Sequence, residues 1–170
     1  MAIGTLVLDI ALVAKLLTLF KASGRAKLRR AYGSYGLMLI FVFSTLAIAG
    51  TLIMQYVGAL NPCVLCWWQR VFMYPIPFIS LIAIIKGQKL SDIADYLLSL
   101  SFIGALIALY QHLLQILPTG SLIPCDPTGD CAVRTVFYFN FVTIPWMAVT
   151  VFAAIFLIAL IGRSAGTSSN

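Results

Sequence analysis

The stretch YGLMLIFVFSTLAIAGTLIMQYV, residues 35–57, decides the class of this protein, because it contains no charged side chain. A helix that crosses a membrane needs about 20 consecutive, mainly apolar residues. Three further segments of this kind follow along the chain, at 67–85, 94–116 and 141–162. The sequence therefore predicts an all-α integral membrane protein whose core is a four-helix transmembrane bundle.

The composition agrees with this class and excludes others. Of 170 residues, 62% are hydrophobic and only 9% are charged, whereas soluble domains have about 25% charged residues. The net charge of +6 is spread too thinly to form a nucleic-acid-binding surface. The chain also lacks the glycine-rich G-x-G-x-x-G and G-x-x-x-x-G-K patterns, so nucleotide-dependent chemistry is not indicated.

The N-terminal region adds a further hydrophobic helix, at residues 2–20, which contains Asp9 and Lys15. The cost of inserting these two charges is comparable to the gain from the apolar side chains around them. We therefore predict an additional transmembrane or membrane-docked helix, whose charges must be received by neighbouring helices or water. The positive charges, at 21–30, come after the apolar run, whereas in a cleaved signal peptide they come before it.

The distribution of cations predicts the orientation, because short loops rich in Lys and Arg remain in the cytoplasm. Five cations lie in 21–30, two in 86–91, and Arg163 follows the last span. This pattern predicts an N-terminus outside, a cytoplasmic C-terminus, and outward-facing connections that hold all four cysteines.

We divide the chain into three parts on this basis. Residues 1–34 are the N-terminal hydrophobic helix plus a basic cytoplasmic loop, 35–162 the four-span domain, and 163–170 a disordered cytoplasmic tail. Within the four-span domain, Pro75 and Pro77 are predicted to kink the second span. Pro145 lies where a helix tolerates proline, near the start of the last span.

The first cysteine pair lies in NPCVLCWWQR, residues 61–70, at the outer junction of two predicted spans. Where a C-x-x-C unit begins a helix, the helix dipole and nearby cations stabilise the reactive thiolate. Arg70 follows Cys66 by four residues, which places both on one helix face. The string therefore indicates a reactive pair, Cys63 and Cys66, beside a permanent positive charge.

The second pair, Cys125 and Cys131, brackets DPTGD, residues 126–130, whose Pro and Gly favour a turn. Because outward-facing dithiols are oxidised, we expect two disulfides in the resting protein. One alternative is a pair of structural staples, although loops this short constrain little chain. A metal site of four thiolates is another, which an oxidising compartment disfavours; no metal is predicted.

A disulfide exchanger needs an electron acceptor of higher potential than its own. Within a bilayer, a lipid-soluble quinone is the natural candidate, and Trp67, Trp68, Tyr74 and Arg70 would suit its head group. The alternative for both tryptophans is an anchor at the membrane interface, where Trp is common. For Arg70 the alternative is likewise an anchor, with its charged end at the interface.

These residues resemble a known family. The string Pro62-Cys63-x-x-Cys66-Trp67-x-Gln69-Arg70, with Met73-Tyr74-Pro75 after it and a second cysteine pair in the last outer loop, is similar to the bacterial disulfide bond formation protein B family (DsbB, and the shorter BdbC type). The resemblance covers about residues 36–162. The N-terminal helix departs from the family's usual four-span plan.

The resemblance implies a relay of electrons. Cys125 would form a mixed disulfide with a thioredoxin-like, DsbA-type thiol oxidase outside the cytoplasm, and Cys131 would be its partner in the loop. Electrons would then pass to Cys63 and Cys66, and from Cys66 to a quinone, ubiquinone or menaquinone.

The resemblance also implies residues that bind the quinone. They are Arg70, Trp67 and His112; for His112, a hydrogen-bonded interfacial histidine is the alternative. The expected activity is a quinone-dependent protein-disulfide oxidoreductase of the bacterial cytoplasmic (inner) membrane. Two alternatives remain: a carrier of reductant outward with a similar fold, and a small membrane transporter with stapled loops.

Overall fold

The computed structural model describes residues 9–10, 22–58, 62–116 and 143–166. They form five helices: α1 (Ala22–Tyr56), α2 (Val64–Met73), α3 (Pro75–Ile85), α4 (Leu90–Ile116) and α5 (Ile144–Gly166). These described residues contain no strand, so the predicted all-α class is confirmed. The additional N-terminal helix lies outside them, apart from Asp9 and Ile10, and stays a prediction.

Within the residues that the structure describes, four helical stretches are long and apolar enough to cross a membrane. They are Tyr35–Tyr56, Val64–Ile85, Leu90–Ile116 and Ile144–Ser164. Their agreement with the predicted segments confirms a multi-pass membrane protein. The bundle closes because α1 packs on α3 and α5, while α4 packs on α2 and α5.

The described parts of two regions predicted to be irregular are helical instead. The stretch expected to be a basic loop belongs to α1 from Ala22 onward, and its Ala, Leu, Lys and Arg residues are strong helix formers. The tail expected to be disordered continues α5 as far as Gly166. Arg163 favours this last turn because a cation suits a helix C-terminus. Its pair with Asp95, at 3.0 Å, is solvent-exposed and contributes little.

The second span breaks at Tyr74, as the prolines predicted, and this break separates α2 from α3. The Tyr74 N–H still bonds the Arg70 carbonyl at 2.8 Å, but Pro75 and Pro77 have no N–H to continue the pattern. The two halves of the span consequently have different neighbours: α2 packs mainly on α4, and α3 mainly on α1. The cysteine-bearing half of the span is therefore the half that packs against α4.

The turn between α3 and α4 is tightly specified. Gly87 has a positive φ of 65°, and the N–H groups of Gly87 and Gln88 bond the carbonyls of Ile84 and Ala83 at 3.1 and 2.9 Å. This is the Schellman arrangement that ends many helices. Asp92 begins the next helix by accepting the Lys89 N–H at 3.1 Å. An acidic residue there also suits the helix dipole.

Glycines allow the helices of the core to approach closely. A Cβ at Gly104 would collide with the ring of Phe152, a fully buried side chain of α5. Leu90 lies in the same way against Gly36 of α1 and Gly162 of α5. The apolar core is therefore built around α5, which contacts both α1 and α4.

Candidate functional site

The site begins where α2 begins. Cys63 is the N-cap residue of α2, with extended backbone, and Cys66 lies in the first turn. Their sulfurs are 3.2 Å apart, whereas a disulfide bond is about 2.05 Å long. The two are therefore not bonded to each other in this structure, unlike the disulfide expected from the sequence. Cys63 is buried and Cys66 half-buried.

Gln111 of α4 faces both sulfurs. Its side-chain N–H₂ group lies 3.1 Å from the sulfur of Cys63 and 3.4 Å from that of Cys66. The Gln111 carbonyl oxygen accepts a 2.7 Å hydrogen bond from the side-chain amide of Gln69 on α2. Both glutamines are buried. A network of four side chains therefore joins the start of α2 to α4.

Arg70 lies one turn after Cys66 and is buried, with 8% of its surface exposed. Its guanidinium donates to the side-chain oxygen of Gln55 at 2.5 Å and to the Thr51 carbonyl at 3.5 Å, both on α1. It also lies over the ring of Trp67, with 5.1 Å between Cζ and the ring centroid. Arg70 thus ties α2 to α1 beside the cysteine pair.

The two tryptophans after Cys66 point away from the bundle. Trp67 and Trp68 are 49% and 52% exposed. An exposed aromatic pair at the end of a membrane span suits the interface with lipid. Trp67 combines this position with its contact to Arg70.

His112 follows Gln111 in sequence, but its contacts are with α5. Its Nδ1 lies 2.9 Å from the hydroxyl of Thr143, and its ring is 4.8 Å from the ring of Trp146. The structure therefore places Cys63, Cys66, Arg70 and Trp67 together, and His112 on the neighbouring side of α4.

Asp9, from the N-terminal hydrophobic segment, also reaches α5. Its carboxylate accepts the indole N–H of Trp146 at 3.1 Å and the hydroxyl of Thr150 at 2.7 Å. A charge in an apolar segment needs such donors, and a neighbouring helix supplies them here, as the sequence required. Lys15 lies outside the described residues.

Two predicted site residues, Cys125 and Cys131, also lie outside the described residues. Within the described ranges, no group of three or more His, Cys, Asp or Glu residues is arranged to hold a metal ion.

The family model for Disulfide bond formation protein DsbB matches residues 34–162. This chain belongs to the DsbB family. It is therefore a membrane protein of disulfide bond formation, with a disulfide oxidoreductase role.

Individual relatives of the DsbB family agree. The chain is 39% identical over 123 residues to SPbeta prophage-derived disulfide bond formation protein B of Bacillus subtilis, covering 72% of this chain and 82% of that protein. It is 34% identical over 118 residues to disulfide bond formation protein C of the same organism, covering 69% and 84%. A probable disulfide formation protein of Oceanobacillus iheyensis is 39% identical over 129 residues, covering 74% and 86%. No solved structure matches.

Sequence reasoning did not assign Gln111 or Gln55 to the site of this DsbB-family protein. A signal existed for Gln111, because a polar side chain in a membrane helix needs a hydrogen-bonding partner. Its partner could not be named from the sequence, since the contact depends on how α2 packs against α4. Gln55 carries the same signal near the end of α1.

Proposed function

We propose that this protein reoxidises a thioredoxin-like, DsbA-type thiol oxidase outside the cytoplasm and passes the electrons to a membrane quinone. The single observation that carries the proposal is the Cys63–Cys66 pair at the start of α2, with hydrogen-bond donors and a buried guanidinium beside it. The site lies at one end of the bundle, where the exposed Trp67 borders the membrane interface.

The relay proceeds by two exchanges of disulfides. The dithiol of the partner attacks the Cys125–Cys131 disulfide, through a mixed disulfide at Cys125, and leaves as a disulfide while the loop pair becomes a dithiol. The loop dithiol then reduces the Cys63–Cys66 disulfide, with Cys63 as the exchanging sulfur. Two electrons and two protons move at each exchange. Cys66 is the residue that would pass electrons to the quinone. Its greater exposure than Cys63 and its position next to Trp67 support this role.

The residues around Cys66 fit a quinone head group. Arg70 has five N–H donors, of which contacts within the described residues use two, at Gln55 and Thr51. The remaining donors can hold a carbonyl oxygen beside the exposed ring of Trp67. A bound quinone would supply the acceptor for the two electrons and two protons released when Cys63 and Cys66 form their disulfide.

His112 is the third residue that we assign to the quinone. Its ring is held by Thr143 and Trp146, which fixes its orientation on the side of α4 next to Gln111. We place the protein in the bacterial cytoplasmic membrane, with the cysteine-bearing connections outside and the C-terminus inside. This orientation rests on the five cations of 21–30 and on Lys86 and Lys89.

One assay tests the proposed direction of electron flow. Purified protein is mixed with a reduced thioredoxin-like donor and either ubiquinone or menaquinone analogues, and quinone absorbance and donor thiols are followed together. We expect one quinone to be reduced for each donor disulfide formed. Electron flow from added quinol to an oxidised donor, with no net flow the other way, would overturn the proposal in favour of an outward reductant carrier.

A further inference from the structure

We propose that Gln111 is a catalytic residue of the Cys63–Cys66 pair, whose amide holds both sulfurs and favours their reduced form, and that Gln69 is the positioning residue that keeps this amide in place. The inference rests on the proposed redox role of the pair. It does not depend on the quinone or on the identity of the partner.

The side-chain amide nitrogen of Gln111 lies within hydrogen-bonding distance of both cysteine sulfurs. A glutamine amide has two N–H bonds, and Gln111 directs its nitrogen to sulfurs 3.1 and 3.4 Å away. The side chain is only 2% exposed, so competition from bulk water is small. In this low-dielectric setting a hydrogen bond to a charged sulfur is worth more than it is in water.

Gln69 decides which end of the Gln111 amide faces the cysteines. Its N–H₂ group donates to the Gln111 carbonyl oxygen at 2.7 Å, so this oxygen faces Gln69 and lies 3.8 Å from the Cys66 sulfur. The Gln111 nitrogen is the atom nearer to both sulfurs, at 3.1 and 3.4 Å. The opposite orientation would direct oxygen lone pairs at a thiolate, which is repulsive. Gln69 is itself buried, and the pair of amides therefore forms a fixed unit.

The chemical effect follows from the difference between a thiolate and a disulfide as acceptors. A thiolate is charged and accepts N–H bonds strongly, whereas a disulfide sulfur is a neutral, weak acceptor. The amide therefore stabilises the dithiol form more than the disulfide form. In the exchange of the protein disulfide plus two glutathione thiols for the protein dithiol plus glutathione disulfide, Gln111 shifts the equilibrium towards the dithiol. The pair becomes a stronger oxidant.

The test measures this equilibrium directly. Full-length protein carrying Cys125→Ser and Cys131→Ser is purified without quinone, equilibrated in glutathione buffers under anaerobic conditions, and its thiols are counted after alkylation. Gln111→Leu should shift the equilibrium constant towards the disulfide by about tenfold, or about 30 mV for a two-electron couple. Gln115→Leu, a buried glutamine one turn further along α4, is the matched control and should shift it less than twofold.

Variants of Gln69 separate positioning from general stability. Gln69→Leu removes the donor that orients Gln111 and should produce part of the Gln111→Leu shift. Gln69→Glu is the sharper variant, because an ionised carboxylate only accepts and would draw the Gln111 N–H₂ group away from the sulfurs. It should shift the equilibrium at least as far as Gln69→Leu, and combining either change with Gln111→Leu should add little.

Three outcomes would overturn the inference. They are an unchanged equilibrium constant in Gln111→Leu, an equal shift in Gln115→Leu, and full additivity of the Gln69 and Gln111 changes. Helical content measured by circular dichroism identifies variants that fail to fold, and for these Gln111→Asn, which retains the amide, replaces leucine and should give an intermediate shift. Failure of quinone reduction alone would contradict the proposed function and leave this result standing.

Discussion

Asp9 accepts a hydrogen bond from the indole N–H of Trp146 at 3.1 Å, across 137 positions of sequence. The same indole ring packs against His112. A carboxylate from the N-terminal hydrophobic segment, the part of the chain that precedes the family match, therefore supports the ring contact of a residue that we assign to the quinone. The Asp9 carboxylate also accepts a hydrogen bond from Thr150 of α5.

Replacing Asp9 should destabilise the protein through the loss of these two hydrogen bonds. Asp9→Leu removes the acceptor for Trp146 and Thr150 and should lower the free energy of unfolding in detergent by about 1–2 kcal/mol. Asp9→Asn keeps one acceptor oxygen and should lose about half as much. Thermal unfolding monitored by circular dichroism gives the ranking. The contact would be refuted if the losses in Asp9→Leu and Thr150→Val added fully in the double variant, because interacting residues are not additive.

A side chain at Gly104 should destabilise the protein, and a smaller residue at position 152 should remove this effect. The Cβ of Gly104→Ala would overlap the buried ring of Phe152, and such overpacking costs about 1–3 kcal/mol. In a Phe152→Leu background the overlap is relieved, and the higher helix propensity of alanine should then make the same change neutral or stabilising. Ser99→Ala, exposed on the same helix, is the control. Equal destabilisation in both backgrounds would show that the ring is not the cause.

The spans could be predicted because the length of an apolar run is set by the thickness of the bilayer. The residues at which the helices begin were harder to predict. The helix α2 begins at Val64 rather than 67, where the Cys63 carbonyl accepts the Trp67 N–H at 3.1 Å. The helix α4 begins at Leu90 rather than 94, where Asp92 accepts the Lys89 N–H. Such ends depend on local hydrogen bonds, which average hydrophobicity does not represent.

The cysteine motif likewise identified one half of the site. Cys63, Cys66 and Arg70 are neighbours on one helix, so spacing alone places them together. The other half comes from Gln111 and Gln55, on two different helices. Their contacts depend on how α2 packs against α1 and α4, and residue spacing within one helix does not predict that packing.

The two cysteine pairs should fail in different ways if the relay is ordered. Cys125→Ser should abolish oxidation of the thioredoxin-like donor, while the Cys63–Cys66 pair, reduced with dithiothreitol, should still transfer electrons to quinone. Cys66→Ser should abolish quinone reduction and leave electrons in the loop pair. Donor thiols and quinone absorbance, measured in the same samples, give both rates. Equal, partial losses of both activities in the two variants would contradict the order of the relay.

Arg70 has two possible roles, because it joins α2 to α1 and also lies on the same helix face as Cys66. The sequence suggested a residue for the quinone with an interfacial anchor as the alternative, and the bonds to Gln55 and to the Thr51 carbonyl add a structural role. Arg70→Ala should therefore reduce both stability and quinone use. A variant that removes the side-chain bond to α1 but keeps the guanidinium is needed to separate the two effects.

Gln55→Leu is that variant. It breaks the side-chain bond between α1 and α2 but keeps the Arg70 contacts with the Thr51 carbonyl and the Trp67 ring, so it should lower the unfolding temperature by part of the Arg70→Ala effect. The kcat/KM for quinone should fall about tenfold or more in Arg70→Ala, because a hydrogen bond to an acceptor that gains charge is worth about 1.5–3 kcal/mol, and less than threefold in Gln55→Leu. Arg70→Lys keeps the charge without the planar fork and should fall between them. If Arg70→Ala and Gln55→Leu instead share the same KM and kcat, the arginine serves only to hold α2 against α1, and the quinone must bind elsewhere.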